Sequence, residues 1–359
     1  MLRYHGGIYA KLAMQAASAR IQDLALEYYW LPAAKETNKF PSAQEINILP
    51  VDAGGVINAR LRQAALVNEL SERFDIVVLR YPLFDPVLFF VLKNKRRMVT
   101  EHHTKEIAEL RLAGDLRWLT EKSLGGMYLS LFGGSVGVTN EIVDYENRRR
   151  LRRRPAMFIP NTVNPEEFSE ALDATRCTGG PVKFIFVANE FVRWHGLEEV
   201  LEAWRKYVRN VSDELHIVGK CSESLRSAAS GTVIFHDRLG REELTQFYGE
   251  CDYALGSFRL DLLGMNEGST LKLREYLASG LPVACGQPDG AFPDQFPYIL
   301  YQPAGPDFAA IRNHCDRTSS ATRQSIADGA RPFIDVAGGV QKLHQFADLV
   351  LSTAGIVPA

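Results

Sequence analysis

Residues 266–286 read NEGSTLKLREYLASGLPVACG, and they gather two carboxylates, two bases and several small residues around the start of one helix. That helix is expected to begin near Thr270. It should stop at Gly280 and Pro282, since Gly just past a helix end and Pro beyond it are the usual stop. Its first turn carries Lys272 and Arg274 where acids are expected. The helix N-terminus bears partial positive charge, so cations there cost roughly 0.3–1 kcal/mol each. An anion such as phosphate, seated on the unpaired N–H groups, would offset both. Glu267 lies in the loop before the helix and Glu275 eight residues later inside it. Carboxylates accept sugar hydroxyl hydrogen bonds strongly. The small residues between them let backbone N–H groups approach a ligand closely. A diphosphate over the helix start, flanked by hydroxyl-rich groups, describes a nucleotide sugar.

Such a site needs a scaffold, and short β-rich runs alternate with helical patterns along the chain, the signature of α/β units on parallel sheets. In the first half the expected strands are 24–31, 46–51, 74–80, 96–102, 135–140 and 156–161, with helices over 59–73, 119–132 and 141–153. After the turn-rich DATRCTGGP (173–181) the pattern restarts. Strands are expected at 182–188, 214–219, 232–237, 252–257 and 282–286, and helices at 197–208 and 241–250. The fold class is α/β with two Rossmann-like domains facing across a cleft, over 1–162 and 163–335. A last helical segment, 336–359, crosses back to the first domain. Ligands of open α/β sheets bind beyond the carboxyl ends of the strands. Gly6-Gly7 follows only MLRYH, so the strand that normally precedes such a turn is either very short or encoded upstream of Met1.

Composition narrows the function. The 359 residues are 46% apolar and 23% charged with a net charge of −2, which gives no reason to propose a nucleic-acid partner. Five cysteines stand singly with no C-x-x-C pair, read as reduced thiols rather than a disulfide or zinc framework. DIVVLRYPLFDPVLFFVL (75–92), the most apolar stretch, is interrupted by Arg80, Pro82, Asp85 and Pro86 and does not reach the length of a span. The expected location is cytoplasmic, at most peripheral on the inner face of the cell membrane.

Glu267-x7-Glu275 followed by YLASGLPV resembles the E-x7-E signature of family 4-like glycosyltransferases with the GT-B fold. FIPNTVNPEEF (158–168) is similar to that family's linker, and FIFVANEFVRWHGLEEVLEA (184–203) to its first strand, phosphate loop and helix. YHGGIYAKLA (4–13) resembles its GGI loop and MVTEHHTKE (98–106) its histidine-bearing strand end. The resemblance implies an acceptor-side domain first and a nucleotide-sugar domain second. It implies that Glu267 contacts the transferred sugar, that the amides of Gly268, Ser269, Thr270 and Leu271 hold the diphosphate, and that Glu275 binds the ribose. Arg193 and Lys272 would neutralise the leaving phosphate. His102 or His103 would lie by the sugar, and Gly6 and Gly7 by the ligand. Asn189 and His195 stand where the family has an arginine and a lysine, and are counted with the phosphate loop. Arg80-Tyr81 replaces a further histidine.

The implied reaction moves a sugar from a UDP- or GDP-linked donor to a hydroxyl of a glycan or lipid-linked glycan, with retention, in cell-surface polysaccharide or glycoconjugate synthesis. No cofactor is implied, and the absence of a D-x-D motif suggests no metal. Alternative readings are a sugar-nucleotide epimerase and a non-catalytic scaffold in a polysaccharide assembly. RRRLRRR (148–154) and KNKRR (93–97) stand out against a near-neutral chain. They read as a solvated helix end or as a patch, Arg148–Arg154, for an anionic membrane surface.

Overall fold

The computed structural model describes residues 6–32, 46–51, 54–175, 180–208, 212–229 and 232–355. They divide into two units, one running to Pro160 and resuming at Val336, the other spanning Asn161–Asp335.

The first unit opens with α1 (Gly6–Ile21), β1 (Tyr28–Trp30), β2 (Ile46–Ile48), α2 (Val56–Arg73), β3 (Val77–Arg80) and α3 (Pro86–Val91). It continues with β4 (Met98–His102), α4 (Glu106–Leu112), α5 (Arg117–Leu129), β5 (Gly134–Gly137), α6 (Asn140–Arg149) and β6 (Ala156–Phe158). Strands β3, β4, β5 and β6 pair in that order, all parallel. The two earlier strands form a separate parallel pair, with Tyr28 opposite Ile46, rather than joining that sheet. Local chemistry starts the helices. Asp85 accepts from the Leu88 N–H at 3.1 Å with Pro86 behind it, and Thr139 accepts from the Ile142 N–H at 3.1 Å.

The second unit contains α7 (Ser169–Leu172), β7 (Lys183–Glu190), α8 (Leu197–Tyr207), β8 (Glu214–Lys220), α9 (Glu223–Ala228), β9 (Val233–His236) and α10 (Arg241–Glu250). Then follow β10 (Tyr253–Leu255), α11 (Leu271–Ala278), β11 (Val283–Cys285), β12 (Ile299–Tyr301), α12 (Phe308–Arg317) and α13 (Arg323–Ile334). Its strands are all parallel in the order β9-β8-β7-β10-β11-β12, the dinucleotide-binding order whose switch point falls between β7 and β10. Helix α8 shows why the sheet is covered. Leu197, Val200, Leu201 and Trp204, spaced at three and four residues, are buried against Phe184 and Phe308. Its first turn holds Glu198 and Glu199 and its last turn Arg205 and Lys206, as the dipole prefers. No acid stands in the first turn of α11.

The final helix, α14 (Val336–Ala354), belongs to the first unit. Phe346 and Val350, one turn apart, are buried on Val99, Val136 and Ile159 of the β4–β6 region, while Val336 and Val340 meet Ala19 of α1. No helix among the described residues is long and apolar enough to cross a membrane.

Candidate active site

The loops after β7 and β10 meet at the switch point of the second unit. Strand β7 loses register with β8 after Val187, so its last residues bulge away from regular pairing. Gly219 on β8 permits this. Its φ is +123°, and a Cβ there would stand 1.6 Å from the Ala188 carbonyl oxygen. Beyond the bulge, the Phe258 N–H donates to the His195 carbonyl at 3.1 Å and the Arg259 N–H to the Trp194 carbonyl at 3.2 Å. The two loops thus form one floor.

Helix α11 begins at that floor. Thr270 is its N-cap residue, but the Thr270 hydroxyl makes no capping hydrogen bond, so the first-turn N–H groups are without that partner. The loop before it is fixed from outside. Asn161 donates from its backbone N–H to Ser269 Oγ at 3.0 Å and from Nδ2 to the Ser269 carbonyl at 2.5 Å. The Gly268 N–H is already taken by the Pro288 carbonyl at 2.8 Å, which removes one amide from the set expected to hold an anion.

The two bases of the first turn have separate roles. Arg274 is fully buried and forks onto Asp289, with Nη1–Oδ2 at 2.8 Å and Nη2–Oδ1 at 3.1 Å. The single-anion explanation for both bases is therefore corrected: a carboxylate within the fold balances Arg274. Lys272 has no such partner. Its Nζ is buried without a hydrogen bond, 5.0 Å over the Phe186 ring. Burial pushes its pKa down to about 7, with Glu275 resisting. Glu275 lies at 3.4 Å from the Tyr248 hydroxyl, and burial raises its pKa. The next residue, Tyr276, accepts from the Val187 N–H at 2.9 Å and so ties α11 to the bulge. Glu267 is half-buried in the loop.

The remaining residues of the phosphate loop differ in their engagement. His195 is buried, and its Nδ1 accepts from the Val192 N–H at 3.1 Å, which leaves the ring proton on Nε2. Burial, and then the Lys272 charge, push its pKa down to about 2, so it is a neutral donor at physiological pH. Arg193 is held by Glu199 at 2.7 Å and lies 3.6 Å from Glu198. Asn189 is exposed, and its carbonyl accepts from Arg238 Nε at 2.9 Å.

Residues 181–301, which include every one of these loops, match the family model described as Glycosyl transferases group 1. The match lies wholly within the second unit. Whole-chain comparison agrees in fold. Sucrose-phosphate synthase from Thermosynechococcus elongatus superposes with a TM-score of 0.68 at 12% identity, over 98% of this chain and 94% of that one. Anabaena HepE in complex with UDP-glucose gives 0.63 at 15% identity, over 96% of each chain. The lipopolysaccharide outer core galactosyltransferase WaaB gives 0.61 at 12%, over 95% of each. The chain has the GT-B fold. No curated protein matches the sequence.

The strand-end histidines lie in the other unit of this GT-B chain, and their surroundings separate them. His102 is buried, with Nδ1 2.9 Å from Glu106 Oε1, Nε2 2.9 Å from Thr100 Oγ1 and its ring against Tyr81. Ligand atoms of His102, Glu106 and Glu146 lie within 4.8 Å of one another. Burial raises both carboxyls to about 7 and lowers His102 to about 4. Arg149 donates to Glu146 at 2.8 Å and also to Glu121, so a guanidinium already serves the acids. Together they form a buried polar cluster behind the strand end. His103 is the more open of the pair. Its Nε2 is 3.3 Å from Glu101 Oε2, and Lys11 of α1 binds the other oxygen at 3.0 Å. Burial alone would raise Glu101, and Lys11 with His103 overcome it to hold the carboxyl well below its usual range.

One expectation changes here. Gly6 and Gly7 open helix α1 rather than forming a loop, because the helical run extends from them without interruption. What that segment delivers is Lys11, which spacing alone did not mark. The Arg274–Asp289 pair was likewise invisible, since the partners stand fifteen positions apart with the rest of α11, a turn, β11 and a loop between them. A buried arginine in a helix otherwise lined by Leu273, Tyr276 and Leu277 was the available signal.

Proposed function

We propose that the protein transfers a sugar from a nucleoside diphosphate sugar, UDP-linked, to a hydroxyl of a glycan or lipid-linked glycan. One observation carries the reading: the Lys272 ammonium is buried without a hydrogen bond at the start of α11, beside the switch point where such folds bind nucleotides. A diphosphate there would supply the missing acceptor and use the helix amides. Lys272 is the fixed cation for it, since Arg193 would first have to leave Glu199. His195 Nε2 is a neutral donor on the same floor. Glu275 suits the ribose hydroxyls and Glu267 the sugar.

In the reaction the anomeric carbon–phosphate oxygen bond breaks and the leaving diphosphate keeps the electron pair. Lys272 and the amides stabilise that charge as it develops. The acceptor oxygen bonds to the anomeric carbon on the face the diphosphate leaves, its proton passing to the departing phosphate, so configuration is retained without a metal. His103 faces the acceptor side, and His102 positions the strand end behind it. The HepE complex with UDP-glucose supports a uridine donor. WaaB supports a cell-surface glycan acceptor, and with it a place on the cytoplasmic face of a membrane.

The test is thermal stabilisation by UDP, GDP, ADP and dTDP and their sugars, on the wild type and Lys272→Ala. Ligand at a hundred times its Kd adds about 2.7 kcal/mol. A shift with a uridine diphosphate, lost in Lys272→Ala, is expected. No shift with any nucleotide would defeat the proposal.

A further inference from the structure

The two basic runs of the sequence come together in the first unit. Lys95 and Arg96 just precede β4, and Leu151 to Arg154 just precede β6; since these strands are parallel neighbours of β5, both runs sit at one edge of the sheet. Between them opens a cavity of about 560 Å³ whose lining includes Lys95, Arg96, Arg152 and Arg154 together with Leu131 and Leu151. It lies at the amino ends of the strands, whereas His102 and His103 lie at the carboxyl end, so this is a different place from the candidate active site.

The run 148–154 does not act as one patch. Arg149 turns inward to Glu146 and Glu121, and Arg150 is buried with Nη2 3.2 Å from the Gly134 carbonyl. Arg152 and Arg154 face the cavity instead, and no carboxylate lines it. Arg96 and Arg152 press like charge on Arg154, whose Nε is buried without a partner, so burial and then repulsion lower its pKa. Lys95 donates to the Leu92 carbonyl, and with Arg96, Arg152 and Arg154 it makes the lining strongly basic.

Apolar residues lead into the same cavity. Leu116, then Leu119, Leu124 and Met127 of α5, and Leu131 just past it, are all exposed, Leu116 at 74%. At 100° per residue they fall within one stripe about 140° wide. Leu151 beside the cavity is also 74% exposed. A helix with an apolar stripe flanked by bases is the arrangement that lies in the headgroup boundary of a bilayer. A soluble polyanion would satisfy the bases and leave the leucines in water.

We propose that this edge of the first unit docks on an anionic phospholipid bilayer, headgroup phosphates entering the cavity between Arg96, Arg152 and Arg154 and the stripe from Leu116 to Leu131 entering the interface. The inference deepens the membrane location proposed above and does not depend on the transfer chemistry.

Sedimentation of the full chain with vesicles tests it, using phosphatidylcholine alone and phosphatidylcholine mixed with phosphatidylglycerol, at low and high salt. Each base near such a surface is worth about fivefold in binding. The wild type should sediment with the mixed vesicles at low salt and be released at high salt. Arg96→Glu/Arg152→Glu should weaken this at least tenfold, and Leu151→Ser should weaken it while leaving the salt dependence. Arg205→Glu/Lys206→Glu, an equal charge change on exposed α8, should leave binding within about twofold. Circular dichroism and nucleotide-induced stabilisation of each variant separate loss of docking from loss of fold or of the donor site. No sedimentation with either vesicle at low salt, equal binding to both, or equal weakening by the α8 pair would overturn the proposal. So would binding to heparin, a soluble polyanion, with none to vesicles.

Discussion

The Arg274 guanidinium and the Asp289 carboxylate form a two-bond fork inside the second unit, both side chains essentially without solvent exposure. Arg274 also donates to the Thr270 carbonyl at 3.1 Å, so the pair fixes the turn that starts α11. Removing one partner leaves a buried charge alone, which costs about 3–5 kcal/mol. Arg274→Ala and Asp289→Ala should each lower unfolding stability by that amount. Arg274→Leu with Asp289→Leu should recover part of the loss, since an apolar pair need not be desolvated. Denaturant titration of the cycle measures the coupling. Losses below about 1 kcal/mol for both single variants would remove the pair's structural role.

Lys272, two residues earlier, makes the opposite trade. Its pKa near 7 lies below the free-lysine value, so between about 7 and 10 the unfolded chain holds a proton that the folded one does not. On this group's account, stability of the free protein rises with pH across that window. Lys272→Met should flatten the rise and stabilise the free protein at pH 7 by about 1–3 kcal/mol. The same variant should lose nucleotide-sugar binding. For the wild type, affinity should be greatest below pH 7, where the ammonium is charged, and fall as pH rises above it. Calorimetry at pH 8 in buffers of different ionisation heat should show proton uptake on binding. Pairing with a flat pH profile would disprove the assignment of Lys272 to the diphosphate.

How far the sequence reveals this site depends on the range of the interaction. Helix α11 could be read to within a residue, because Thr270, Gly280 and Pro282 are local signals for its two ends. Each of the eleven strands expected from patterning overlaps an observed one, since buried β-branched runs bounded by turns are also local. Strand β12, with three residues, and α3, with six, carry too little pattern to stand out. Helix α1 was missed because it opens with two glycines, and the strands β1 and β2 gave no sign that they would pair only with each other. Residue identity placed Lys272 and Arg274 at the helix start, but only the tertiary fold reveals that one is paired and the other is not. The same holds for RRRLRRR, where Arg149 and Arg150 turn to the interior and Arg152 and Arg154 line the cavity.

The network around His102 should be visible in pH-dependent stability. Glu106 and Glu146 carry raised pKa values near 7, so their contribution is fully present below about pH 4.5 and is lost as pH rises through 7. His102, lowered to about 4, acts in the other direction: stability is lost as pH falls from 6.5 towards 4. Above pH 6.5 only the carboxyl effect remains within this network, so its contribution to stability should decline between pH 6.5 and 8, against the rise that Lys272 supplies. Glu106→Gln removes one charge while keeping the shape, and should reduce that decline. Urea midpoints at pH 6.5 and 8 for both proteins decide it; an equal decline in each would place the proton elsewhere.

Arg193 and Lys272 make the last comparison, because the phosphate-loop pattern suggests both as phosphate ligands, and Arg193 is already paired with Glu199 while the Lys272 ammonium makes no hydrogen bond. Arg193 is about half exposed and already bound to Glu199, so its recruitment by a ligand requires breaking an existing pair. Exposed pairs of this kind are worth about 0–1 kcal/mol, so the exchange is close to neutral. Arg193→Ala should therefore change nucleotide-sugar affinity by no more than about fivefold. Lys272→Ala deletes a desolvated ammonium with no other partner, and charge-assisted bonds of that kind are worth about 1.5–3 kcal/mol, or roughly ten- to a hundredfold. Glu199→Gln offers the complementary readout: by releasing Arg193 it should tighten binding slightly if the guanidinium moves to the diphosphate, and leave it unchanged if it does not. Equal losses in the two alanine variants would show that Arg193 leaves Glu199 on binding and shares the phosphate charge with Lys272.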